Sequence, residues 1–379
     1  MKNKFILIIF IVMMGLCVAN SKILIYANNN TDISSSSNGM VVVEGSTNTV
    51  LYEKNKDVRL PMASTTKIIT AILAIEKTND IDEKFIVSDN AVGIEGTSIY
   101  IKSGEKFSMK ELLYGLILAS GNDCAVAIAE RLGGIEKFVE DMNNLSISLG
   151  LQNTHFDNPH GLDSNTHYTS AYDLAILTSY ALKNETFREI ISTKRMVLEP
   201  TDMYQARYLK NKDKLLFLDE NCIGGKTGFT DNAGRCLVNV HEENNMTIIS
   251  VVLNCQPMFE ECQRLTEKVL ENYKMKEFIQ PYNFVCDIAI SNSSKPEIGI
   301  ITIQGFKLAI LKNEEHLYDI VYDIPKSLSA PIALNEIVGK VKVVKNNNEI
   351  IFEDDLITIE NADNNDIKYL LDNIIDKWF

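Results

Sequence analysis

Histidine is scarce in this chain: five residues in 379, at positions 155, 160, 167, 241 and 316. No two stand at the H-E-x-x-H spacing that would put a pair of imidazoles on one helix face, so a metallopeptidase is disfavoured. Cysteine is also sparse. Seven are present, with no C-x-x-C pair and no zinc-type spacing, so neither a metal nor a cofactor is expected. An excess of positive charge is missing as well. A formal charge of −14 argues against nucleic acid as a partner and gives no long-range pull toward an anionic lipid surface. It says little about a small substrate, because a few local lysines can set the field inside a cleft.

What is present begins with Lys2 and Lys4 ahead of the apolar run Phe5 to Val18, with small residues following at Ala19 and Ala27. That order of basic start, apolar middle and small-residue exit predicts a signal peptide over 1–27 and an exported protein. A permanent anchor fits less well, since Asn20, Ser21 and Lys22 interrupt the run before spanning length. Leu16 does not suit a lipoprotein signal at Cys17. The six cysteines left are too few for a dense disulfide framework; Cys255 and Cys262 are close enough in sequence to pair, but packed free thiols are expected. With 45% hydrophobic and 23% charged residues, the chain has the composition of a globular protein and the length for two domains.

The stretch Pro61-Met-Ala-Ser-Thr-Thr-Lys67 to Ile75 organises the rest. Proline is tolerated ahead of a helix start, and Ile68, Ile69, Ile72, Leu73 and Ile75 cover most of the circumference, the pattern of a helix buried on all sides. Ser64 and Lys67 stand at i and i+3, so hydroxyl and amine share one face. A lysine there has a reference pKa of about 10.4, which must fall to near 7 for it to act as a base. A capping serine beside a snorkelling lysine would give the same four residues, so the motif alone does not decide.

Along the chain, 28–39 reads as a polar linker, and Met40 to Val43 with Thr49 to Tyr52 as a hairpin. Phe85 to Asp89 and Ser98 to Ile101 look like short extended pieces. Ser108-Met-Lys-Glu111 is a capping box that opens a helix running out at Ala119. Ser120-Gly-Asn122 then falls in the turn before a helix over Asp123 to Leu132. Further helices fit Ile135 to Leu149, Ser170 to Leu182 and Met258 to Tyr273, and Arg235 to Val240 with Met246 to Asn254 form a hairpin. Lys226-Thr-Gly228 leads into that hairpin behind Gly224 and Gly225, which let the backbone approach a ligand closely. Pro281 marks a change to short β runs. The expected division is a first domain over 40–278, a β-rich domain over 281–360 and an amphipathic helix over 364–379.

S-x-x-K, then S-x-N, then K-T-G is the motif set of penicillin-binding proteins and serine β-lactamases. With Leu60-Pro-Met-Ala-Ser-Thr-Thr-Lys67 and Asn158-Pro-His-Gly-Leu162 beside it, the chain resembles the serine-type D-alanyl-D-alanine carboxypeptidases, the low-molecular-weight penicillin-binding proteins of serine peptidase family S11. The resemblance implies an α/β (α+β) DD-peptidase/β-lactamase-like domain, an antiparallel sheet flanked by helices, plus the smaller β-rich domain. It implies peptidoglycan stem peptides as substrate and β-lactams as inhibitors.

It also implies roles. Ser64 would be the nucleophile and Lys67 its base; Ser120 would bridge between Lys67 and the leaving amine. Asn122 would position Lys67 and hold the substrate amide, while Lys226 and the Thr227 hydroxyl bind the terminal carboxylate beside Gly228. The backbone N–H groups of Ser64 and Phe229 would form the oxyanion hole. Phe229 departs from a family that often carries histidine there, which bears on deacylation or substrate preference. Lys212 falls where relatives carry a basic or polar residue near the substrate carboxylate. His160 reads as a loop-fixing hydrogen-bonder, Asp173 as structural and Cys124 as a packed thiol.

No E-x-x-L-N run follows Ser120, which disfavours a class A β-lactamase. A catalytically silent sensor is disfavoured by the intact polar motif set; an endopeptidase stays open, because one site serves both leaving groups. At the C-terminus, Ile367, Leu370, Leu371, Ile374, Ile375 and Trp378 form one stripe, predicting peripheral membrane contact through that helix at the outer face of the membrane. A helix docked on the β-rich domain would show the same stripe.

Overall fold

A computed structural model describes residues 33–365. The expected signal peptide and the C-terminal stripe from Ile367 to Trp378 lie outside the described residues. Those described form two compact units that divide between Lys274 and Met275.

The first unit opens with the hairpin β1 (Gly39–Glu44) and β2 (Thr49–Lys54). The chain just before it is tied down rather than free: the Lys54 ammonium donates to the Ser35 and Ser37 carbonyls at 2.5 and 2.8 Å. A 3-10 turn over Ala63–Thr66 then feeds α1 (Lys67–Lys77). Every residue of α1 from Lys67 to Ile75 is buried, as its all-round apolar pattern requires. Burying each Ile or Leu there contributes about 1.5–3 kcal/mol, so this helix anchors the core.

A small pair, β3 (Lys84–Ile86) and β4 (Lys106–Ser108), leads into α2 (Met109–Ile117). Its capping box is made in full: Ser108 Oγ accepts from the Glu111 N–H, and the Glu111 carboxylate accepts from the Ser108 N–H. Helices α3 (Asn122–Arg131), α4 (Ile135–Ser148), α5 (Ala171–Ala181) and α6 (Glu185–Ser192) follow. Helix α1 packs against all five, α2 to α6. Then come the pair β5 (Arg195–Leu198) and β6 (Arg207–Lys210), the short α7 (Leu215–Leu218), and strands β7 (Cys222–Thr230), β8 (Gly234–Glu243) and β9 (Met246–Leu253). Helix α8 (Met258–Asn272) closes the unit against β8 and β9.

The sheet is antiparallel in the order β2-β1-β9-β8-β7, with α5 against β1 and β9. Strand β8 runs three residues past Val240, because Asn244 and Asn245 both take positive φ and supply a two-residue turn. Strand β7 is the element the sequence conceals. Its glycines weaken the strand signal, yet each is demanded by packing: a Cβ on Gly225 would lie 2.0 Å from the Val238 carbonyl oxygen. The piece expected over Ser98 to Ile101 is not a strand; the Ile99 and Ile101 amides donate to the Asp123 carboxylate instead. Helix α6 and the β5–β6 pair are short; α6 does carry a periodic signal, with Phe187, Ile190 and Ile191 buried at i, i+3 and i+4 behind an Asn184 cap.

The second unit contains β10 (Tyr273–Ile279), which pairs with β13 (Phe306–Leu311), and a six-stranded sheet in the order β14-β16-β17-β12-β11-β15. Its strands are β11 (Phe284–Ser291), β12 (Glu297–Thr302), β14 (Tyr318–Asp323), β15 (Ser327–Ser329), β16 (Ile337–Lys345) and β17 (Glu349–Thr358). Ile288, Ile300, Val341, Val343, Phe352 and Leu356 form its own core.

One buried ion pair in the first unit gives a direct test. Arg207 donates to both Glu105 carboxylate oxygens at 3.1 and 2.7 Å and to the Ile99 and Tyr100 carbonyls, fastening the 98–105 segment to β6. Glu105→Ala strands a buried guanidinium, so urea unfolding should show a loss of about 3 kcal/mol. An unchanged midpoint would contradict this.

Candidate active site

The turn that carries Ser64 is set by Ala63, which takes φ +49, the left-handed region that costs a non-glycine residue energy. Thr65 Oγ1 donates to the Met62 carbonyl and Thr66 Oγ1 to the Ala63 carbonyl, holding the turn. Ser64 therefore sits in a 3-10 turn rather than on the α-helix itself, and α1 begins at Lys67. The i, i+3 relation survives: Lys67 Nζ is 2.8 Å from Ser64 Oγ.

Lys67 is completely buried, and its other two partners are Asn122 Oδ1 at 2.7 Å and the His160 carbonyl at 2.6 Å. None carries a charge. Both of the latter are pure acceptors, so a neutral amine spends its two N–H bonds on them and turns its lone pair to the serine hydroxyl. Burial, then the Lys226 charge, hold the Lys67 pKa well below the ordinary lysine range, with Lys212 adding and Cys124 and Asp123 opposing. This is the electrostatic setting of a base.

A second wall is the α2–α3 turn. Ser120 takes φ +64, and its hydroxyl accepts from Lys226 Nζ at 2.9 Å. With the three Lys67 partners named above, Ser120 is paired with the second lysine rather than the first. Asn122 is clamped at both ends, its amide nitrogen donating to the Glu95 carbonyl at 2.6 Å. Asp123, unremarked in the sequence, holds this wall in place. Its carboxylate accepts from the Ser98 hydroxyl and from the Ile99, Ile101 and Cys124 amides. Cys124 is fully buried, and burial followed by Asp123 pushes its thiol well above the ordinary range, so it is a packed thiol.

The third wall is β7. Lys226 is buried and also donates to the Thr227 carbonyl at 2.9 Å. A Cβ on Gly228 would lie 2.8 Å from the Met62 carbonyl and 3.1 Å from the Ser64 nitrogen, so only glycine lets β7 run this close to the Ser64 turn. Thr227 is half-buried, and Phe229 is 58% exposed with the Arg235 guanidinium 5.5 Å from its ring centre. Lys212 reaches the same cleft, its Nζ 3.4 Å from Thr97 Oγ1.

The floor is the Asn158–Leu162 loop. Asn158 Oδ1 accepts from the Gly161 amide, and the His160 ring accepts from the Leu162 amide at Nδ1. The contribution of His160 to the site is thus its carbonyl, which no sequence pattern marks. His167, which no motif marks, braces the Ser64 turn from behind. Asp157 N–H donates to its Nδ1 at 3.0 Å, so Nε2 carries the proton toward Thr66 Oγ1 at 2.8 Å. Asp173 accepts from the Asn153 amide and the Thr154 hydroxyl and serves α5, not the cleft. Among the described residues no group of His, Cys, Asp and Glu could hold a metal, and all six cysteines are free.

The histidines set an acid limit. Burial pushes His160 and His167 each from 6.5 down to about 4. Between those values the unfolded chain binds more protons than the folded one, so stability rises with pH there and is lost as pH falls through the window. Unfolding measured across it should show that decline, flattened in His167→Gln; an identical slope in both proteins would contradict the assignment.

The chain is similar to known proteins over most of its length. Residues 26–257 match the D-alanyl-D-alanine carboxypeptidase family of S11 peptidases, and residues 273–364 match the C-terminal domain of penicillin-binding protein 5. A D-alanyl-D-alanine carboxypeptidase of Bacillus subtilis is 31% identical over 334 residues, 85% of each chain. One from Salmonella typhimurium is 29% identical over 85% of each chain. The structure of penicillin-binding protein 5 from Haemophilus influenzae superposes with a TM-score of 0.74 at 25% identity, covering 87% of this chain and 98% of that one. The Streptomyces K15 DD-transpeptidase matches with a TM-score of 0.59 at 32% identity, over 63% of this chain and 98% of its own. The chain belongs to the D-alanyl-D-alanine carboxypeptidase family, serine-type hydrolases of the penicillin-binding protein group.

Proposed function

We propose that this enzyme removes the terminal D-alanine from peptidoglycan stem pentapeptides through an acyl-enzyme on Ser64, and that β-lactams acylate the same serine. The observation that carries the reading is the uncharged setting of Lys67, 2.8 Å from Ser64 Oγ. As Ser64 attacks the peptide carbonyl, Lys67 takes its proton, and the developing oxyanion is met by the Ser64 and Phe229 N–H groups. Lys226 and the Thr227 hydroxyl hold the terminal carboxylate. Ser120, held by Lys226, gives its hydroxyl proton to the leaving amine and takes in its place the proton that Lys67 received from Ser64, which returns Lys67 to its neutral form. Water then releases the acyl group. Asn122, fixed through Glu95, keeps one N–H for the substrate amide.

Incubation with a pentapeptide ending in D-Ala-D-Ala should release free D-alanine, and mass spectrometry after benzylpenicillin should show one adduct on the Ser64 peptide. No adduct, or an undiminished adduct in Ser64→Ala, would sink the assignment. The two lysines should also separate. Lys67→Arg keeps a cation but supplies no base, so acylation should fall roughly 10²-fold or more. Lys226→Arg keeps a carboxylate partner and should retain part of the activity; equal losses would refute the division of roles.

We further propose that the enzyme acts outside the cytoplasm, against the membrane or cell wall, a reading supported by the order of its N-terminal residues and by the apolar stripe of 367–378. Deleting everything after Asp363 should move the processed protein from the membrane fraction to the supernatant. Identical partitioning of truncated and full-length protein would contradict the tether.

A further inference from the structure

Lys226 must stay charged to hold a carboxylate, yet it is 1% exposed and its hydrogen-bond partners, Ser120 Oγ and the Thr227 carbonyl, are both neutral. The other titratable groups facing it are Lys212 after β6, whose charge repels, and Lys67 of α1, which carries no charge when it serves as the base. Behind it lies Asp213, 1% exposed and unused in the mechanism above. Its Oδ1 accepts from the Leu215 amide at 3.0 Å, and its Oδ2 accepts from Asn239 Nδ2 of β8 at 3.0 Å. A Cβ on Gly225 would lie 2.7 Å from Oδ2, so the carboxylate presses on the backbone of the residue immediately before Lys226. Successive residues of a strand face opposite sides, which puts Asp213 and the Lys226 side chain on the two faces of the edge strand β7. The remaining titratable groups near Asp213 are the Cys222 thiol of β7 and the Cys262 thiol of α8, each held in its neutral form by burial first.

We propose that Asp213 is a positioning residue, a buried counter-charge on the far face of β7 that keeps Lys226 cationic for binding the substrate's carboxylate. The inference rests on the carboxylate-binding role given to Lys226 above. Electrostatics agree with the placement. Burial and then Lys212 push Lys226 down to about 7, and Asp213 is the charge that pulls the other way. Burial pushes Asp213 itself up to about 6, which leaves it ionised at neutral pH. Without it, Lys226 would lose its proton at lower pH.

The test is the pH profile of acylation by benzylpenicillin. Asp213→Asn preserves volume, and its hydrogen bonds can be kept by turning over the Asn239 amide. The alkaline limb, where Lys226 deprotonates, should move down by about one pH unit. Asp213→Glu should restore it toward the parent value, a rescue that a purely structural role would not produce. Coupling is reciprocal, so carbon NMR of the Asp213 carboxyl should show its titration raised in Lys226→Gln. That measurement leaves Asp213 in place and decides the matter if Asp213→Asn fails to fold. An alkaline limb unmoved in Asp213→Asn, or an Asp213 titration unmoved in Lys226→Gln, would overturn the proposal. A parent enzyme that never acylates would instead refute the function on which it rests.

Discussion

A lysine buried without a carboxylate is the constraint on which the catalytic unit depends. Lys67 has three uncharged partners and no exposure, so the protein bears the cost of removing its charge rather than of pairing it. Everything around the cleft serves that end. The helix that carries Lys67 is buried on every side, which supplies the desolvation. The edge strand brings a second cation, and the Asn158–Leu162 loop offers a carbonyl that an ammonium and an amine can both use.

Such a cleft is costly, and the surrounding structure offsets it with strong local bonds. Ala63 and Ser120, one on each side of the reacting group, both take positive φ. Each is over-determined by its neighbours: Thr66 and His167 hold the first turn, and the Asp123 carboxylate holds the second. Gly161 fits beneath the Ser64 turn because a Cβ there would lie 2.0 Å from the Ala63 carbonyl. The carboxylates that balance the lysines, Asp123 and Asp213, are both kept one layer back from the substrate, where they shape the field without neutralising Lys67.

Much of this was legible in the sequence because it is periodic or punctuated. The all-apolar circumference of Ile68 to Ile75 and the capping box at Ser108 each encode their element locally. The three motifs carry the chemistry in side chains, so they too can be read. What stayed hidden is held by backbone and by distance in sequence. Strand β7 looks like a loop because close approach demands its glycines, and the His160 contribution is a carbonyl. Asp123 and His167 have no motif of their own; Asp123 reaches back 22 residues to Ile101, and His167 reaches back 101 residues to Thr66.

The most direct test of this picture is the protonation state of Lys67 in the resting enzyme. Nitrogen NMR of selectively labelled lysine, assigned by comparison with Lys67→Arg, reads whether Nζ is an amine or an ammonium. A resonance at the amine position near neutral pH, moving to the ammonium position only on acidification, is the predicted result. An ammonium that persists to alkaline pH would contradict the central claim that Lys67 is the base.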